Sequence, residues 1–210
     1  CITVVTALVF RIQAEYDALN QVLEQQAEEE AQDDDMPILQ DNRAMSRVFV
    51  VSEMLTIAMY CDYGDEMGRQ KMYMLVREML GNAWLPAELV PRCLDVLLRL
   101  SSGHRDFLQM VVELVQSLDE DMVDPDASVR QALSWHQRVH ADNPEMTPQR
   151  AANKAALEAR RLLIVQSMLE RIACSLQDDT SLEGLIQELI VPTIQSRDVA
   201  LREQGIVCLG

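Results

Sequence analysis

The sequence predicts an all-α fold, a solenoid of stacked antiparallel helix pairs running through residues 1–210 as one continuous segment. Three observations predict it. Apolar residues recur at spacings of three and four in stretch after stretch, which puts one stripe on one helix face. The breaks between stretches are short and built from Pro, Gly, Asp and Ser, so successive helices are antiparallel neighbours. No alternating strand pattern of useful length occurs. A helix pair of this size cannot cover its own apolar face and needs neighbours stacked on both sides.

Cys1 to Phe10 is the longest uncharged apolar run. It is about half what a bilayer crossing requires, and without a basic start it reads as neither a signal peptide nor a membrane anchor. Residues 24–42 come next as an acidic loop expected to be disordered, since Glu28 to Glu30 and Asp33 to Asp35 repel one another with no base between Glu24 and Met36. Met72, Leu75, Val76, Met79 and Leu80 form the next stripe, closed by Gly81-Asn82, a pair that suits a left-handed cap. A further helix begins near Pro86 or Pro91 and runs through Cys93, Leu94, Leu97 and Leu98 to Ser101-Ser102-Gly103. Its antiparallel partner carries Phe107, Leu108, Val111, Leu114, Val115 and Leu118.

Asp124-Pro125 reads as an N-cap with proline at the first helical position, opening a helix through Val129, Leu133 and Val139. Residues 142–150 form a loop between hairpins, and a long helix is expected from near Ala151 to about Leu176. Thr180 to Glu183 has capping-box spacing. Leu182, Leu185, Ile186, Leu189 and Ile190 make a stripe that Pro192 must end or bend. The last helix is expected to carry Val199, Ile206 and Leu209 inward, with Gly205 admitting a neighbour. Asp65 and Arg69, Asp126 and Arg130, and Asp198 and Arg202 place an acid four residues before an arginine at helix starts. A repeat signature would have the carboxylate cap backbone donors while the guanidinium reaches an adjacent repeat; an i,i+4 ion pair is the plainer reading.

Charge and chemistry narrow the function. The net charge is -16, and residues 1–62 hold twelve acids against three bases. Five cysteines, odd in number and unpaired by any short spacing, read as reduced core residues of a nuclear or cytosolic protein. His136 and His140 have a two-ligand zinc spacing, but the glutamate of a metalloprotease helix is missing and no second ligand cluster stands out. No glycine-rich phosphate loop and no nucleophile elbow occur, so neither an enzyme nor a cofactor is expected. Eight of the twelve methionines lie between Met36 and Met79, which fits either an adaptable groove for a partner peptide or ordinary core filling. Arg150, Lys154, Arg160 and Arg161 form the densest basic group, a candidate contact to phosphate or a solvated helix face.

The runs Asp65 to Arg69, Leu75 to Leu80, Leu85 to Val90 and, above all, Leu201 to Gly210, in this order, resemble the CAP-G family of condensin subunits, which are HEAT-repeat proteins. The resemblance covers roughly Arg43 to Gly210. It implies a HEAT-repeat superhelix, truncated here at both ends, with no catalysis of its own. It further implies a kleisin subunit as partner, SMC ATPase subunits reached through that kleisin, and duplex DNA bound by the whole complex during mitotic chromosome condensation. The implied location is the nucleus and chromosomes, with a cytoplasmic pool. The family's DNA-contacting patches find no residue-by-residue match, and the acidity of this piece predicts weak DNA binding alone. A second reading of the same architecture is another HEAT or armadillo scaffold, such as a nuclear transport receptor.

Overall fold

The computed structural model describes residues 3–30, 42–82, 84–120, 148–172, 180–196 and 198–209, and among them every regular element is helical. The chain divides into two compact units, residues 1–107 and 108–210. The readings placed on Cys1, the 31–41 part of the acidic loop, Asp124 to Val139, both zinc-spaced histidines, Cys174 and Asp126 with Arg130 lie outside the described residues.

The first unit contains α1 (Val4–Glu30), α2 (Asn42–Met59), α3 (Glu66–Gly81) and α4 (Leu89–Leu100). α1 packs on α2 and α3, and α4 packs on α2 and α3. Side-chain contacts give the directions. Thr3, at the start of α1, donates from its hydroxyl to Asp65 at the start of α3 over 3.0 Å. Tyr16, further along α1, accepts from Asn82 at the end of α3 over 2.7 Å. α1 and α3 are therefore parallel. The far ends of α2 and α4 also meet, where Arg99 Nη2 donates to the Cys61 carbonyl at 3.5 Å and its guanidinium lies 6.0 Å from the Tyr63 ring. α3 and α4 are joined by residues 82–88, a connection short enough to make them antiparallel. Two hairpins thus lie one on the other, first helix on first and second on second.

The core is built from the stripes. Ile12, Tyr16 and Leu19 of α1, Val51, Leu55 and Ala58 of α2, and Met72, Val76 and Met79 of α3 are buried, and so are seven of the twelve residues of α4. Pro91 sits in the first turn of α4, where its missing N–H is no loss. Asn82 does not take the left-handed cap. Its φ is -77° and ψ 117°, because its side chain is committed to Tyr16 and to the Trp84 N–H, which extends the backbone out of the helix.

α5 (His104–Glu120) begins in the last residues of the first unit, continues in the second, and buries Phe107, Val111 and Val115. The second unit continues with α6 (Pro148–Leu169) and α7 (Thr180–Leu185), a π-turn (Ile186–Ile190), α8 (Val191–Ile194) and α9 (Val199–Val207). α6 stops at Leu169, earlier than expected, and Arg171 Nη1 bonds the Ser167 carbonyl at 2.6 Å, closing the helix end. Pro192 does not break the chain: α7, the π-turn and α8 run on without interruption. α9 packs on α8 and α6.

The phase of α9 corrects the expectation. Val199, Ile206 and Leu209 are 54%, 53% and 52% exposed, whereas Leu201, Gly205 and Cys208 face inward. The two stripes have equal periodicity, and close approach chose between them. A Cβ on Gly205 would lie 3.2 Å from Ile194 Cγ1 and 3.3 Å from Thr193 Cγ2, so only the glycine face fits against α8.

Candidate partner-docking surface

The starts of α1 and α3 are held together by polar groups. Asp65 caps α3, accepting from the Met67 and Gly68 N–H groups, while it also receives the Thr3 hydroxyl. One carboxylate therefore joins two first-layer helices. Asp198 repeats the capping in α9, accepting from Ala200 N–H at 2.9 Å. The arginine half of the proposed signature differs. Arg69 pairs with Glu66 at 2.7 Å, and Arg202 bonds the Ser196 carbonyl in the turn before its own helix. Arg202 stays with the turn before its own helix, whereas the Arg69 charge also acts on Asp106 at the start of α5.

α2 is apolar on two sides. Val48, Val51, Leu55 and Ala58 enter the core, while Met45, Phe49, Val50, Ile57 and Tyr60 stand exposed on the other side around Glu53. Phe49 is 65% and Tyr60 83% exposed. Beside this stripe Arg47 crosses to Glu15 of α1 at 3.0 Å. A second apolar group lies on the other layer, where Lys71 Nζ sits 5.1 Å from the Phe10 ring and Met67 and Met74 are exposed on the same helix as that lysine. The methionines thus divide: Met72 and Met79 fill the core, and Met45, Met67 and Met74 face solvent. Exposed aromatic and thioether side chains of this kind suit docking to a protein segment. The signal in the sequence was the second apolar arc of α2, which core-oriented pattern reading passes over.

Arg160 is 7% exposed and Arg161 half-buried on α6, so the first contributes chiefly to packing; Arg150 and Lys154 lie at the start of the same helix. Burial pushes the Cys208 thiol up to about 11, with Glu170 adding to the shift, and its Sγ bonds the Leu162 carbonyl at 3.7 Å. A thiol so placed is a poor nucleophile. Among the described residues no cluster of three or more His, Cys, Asp or Glu could hold a metal, and no helix is long and apolar enough to cross a membrane.

In the first unit, two helix hairpins stack one on the other. Residues 160–210 match the family of nuclear condensing complex subunits, C-terminal domain. The chain is 24% identical over 186 residues to condensin complex subunit 3 of Schizosaccharomyces pombe, covering 77% of this chain, and 30% identical over 76 residues to condensin complex subunit 3 of Saccharomyces cerevisiae, covering 36%. It spans 21% and 7% of those relatives' lengths. A chain in the crystal structure of the S. pombe condensin Cnd3–Cnd2 subcomplex shares the fold, with a TM-score of 0.68 and 22% identity over 99% of this chain and 21% of that one. At family level, these similarities support condensin subunit 3.

Proposed function

We propose that this chain is a segment of a condensin subunit of the CAP-G type, a non-catalytic HEAT-repeat scaffold that binds a kleisin segment in mitotic chromosome condensation. The observation that carries the reading is the similarity to condensin complex subunit 3 over 186 residues, in a chain whose first unit stacks two helix hairpins. A fold neighbour crystallised as a two-subunit Cnd3–Cnd2 complex supports a kleisin as partner, and the exposed α2 stripe is the surface we assign to it. The SMC ATPase subunits are reached through that kleisin, and the place of work is the nucleus and chromosomes. Duplex DNA is a partner of the whole complex, with Arg150, Lys154 and Arg161 the nearest candidates on this piece.

Co-purification of the 210-residue chain with a kleisin fragment tests the reading. Capture is expected, and Phe49→Asp with Tyr60→Asp should weaken it at least tenfold, the loss of an aromatic anchor pair. Capture that survives both substitutions moves the contact off α2 while keeping the scaffold role. Binding of a basic cargo peptide and Ran in place of the kleisin would instead mark a nuclear transport receptor.

A further inference from the structure

The π-turn at Ile186–Ile190 stands two residues before Pro192, and the Val191 N–H bonds the Ile186 carbonyl, one residue further back than in an α-helix. An α-helix would drive the Pro192 ring into the Glu188 carbonyl and leave a donor missing there. Opening the ladder by one residue removes the clash, and the Thr193 hydroxyl donates to the Leu189 carbonyl at 2.6 Å, adding a side-chain bond across the widened turn. The extra residue also rotates everything after it by about 100° around the helix axis. Next in the chain stand Thr193 and Ile194, the two residues that touch Gly205 of α9.

We propose that the π-turn is a phase-setting joint held by Pro192, through which one exposed proline controls whether the Gly205 face of α9 can seat against α8. Pro192 itself is exposed, so its ring adds little packing and its effect passes through the backbone. With the π-turn in place, Thr193 and Ile194 face the glycine. With an α-helical turn instead, both swing away and the α8–α9 crossing opens. The joint therefore has two discrete settings, in a segment where a single local change moves a whole helix.

Hydrogen exchange on the full 210-residue chain tests this. Pro192→Ala removes the clash that sustains the π-turn, so amides of Leu201 to Cys208 are expected to exchange about tenfold faster, while far-UV helicity and the protection of Met72 to Leu80 are unchanged. Deleting Gln187, an exposed residue within the turn, from the Pro192→Ala chain takes out the extra residue and should restore the protection of α9. A role in packing alone predicts the opposite for the deletion, which would add damage. Unchanged protection in Pro192→Ala, or no recovery on deletion, overturns the proposal.

Discussion

At Gly68 an added methyl group would meet Val5 Cγ1 at 3.0 Å, Val5 Cβ at 3.1 Å and the capping Asp65 Oδ2 at 3.2 Å. A β-branched neighbour yields poorly, so Gly68→Ala should cost about 1–3 kcal/mol from overpacking, exceeding the roughly 1 kcal/mol that alanine gains in helix propensity. A lowered urea midpoint checks it, and a raised one would show that Val5 moves aside. Asp65→Ala removes a cap and the Thr3 bond together, for about 1–2 kcal/mol. Cys208 provides a chemical readout. Its thiol stays protonated to about 11, so alkylation near pH 8 should modify it far more slowly than half-buried Cys61, as mass spectrometry of timed samples would show. Because the folded value is raised, the thiol's contribution to stability is whole below the ordinary value near 8.5 and is lost as pH rises through 11.

The start of α5 has the chemistry of a reach-back cap. Asp106 accepts from the Ser102 N–H at 2.8 Å and from the Ser102 hydroxyl at 2.9 Å. Those bonds hold its carboxyl below the ordinary range, the backbone bond foremost. A depressed folded value means that the contribution is present above pH about 4 and disappears as pH falls through the depressed value. Asp106→Asn should therefore lower stability at pH 7 and flatten the acid limb of the stability profile, with the two proteins converging at low pH. In α1, Tyr16 is 2% exposed and its hydroxyl has been pushed up by burial while Asn82 and Asn20 bond it. Tyr16→Phe should cost about 1 kcal/mol, since the Asn82 NH2 group is left with only a long contact to Asn20. The stripes of α3, α4 and α5 were legible in the sequence because each has one apolar arc at fixed spacing. α2 and α9 were harder. Both have two apolar arcs, and periodicity cannot say which arc a neighbour will cover.

For the whole chain, the dominant electrostatic fact is its acidity. With a net charge of -16, duplex DNA should bind weakly at physiological salt, measurable by fluorescence anisotropy. Tight, salt-sensitive binding abolished by Arg150→Glu and Lys154→Glu would show that a local basic patch outweighs the global field. Arg160 is the wrong probe because it is buried, and reversing it would unsettle α6. The resemblance to condensin subunits was legible in the order of motifs from Asp65 to Gly210, and the similarity to condensin complex subunit 3 agrees with it. The contact surface was not, because an exposed Phe49 and a buried Phe107 look alike until helices are placed around them.

Helical periodicity, capping aspartates at positions 65 and 198 and the punctuation between stretches were properties of the chain alone, since they depend on interactions within a turn or two of backbone. Only tertiary packing decided that Gly205 turns Leu201 and Cys208 inward. Packing also decided that α2 shows a second apolar face to solvent. Each of those outcomes turns on which neighbour comes within a few ångströms, and close packing resolves such choices sharply where a one-dimensional pattern leaves them equal.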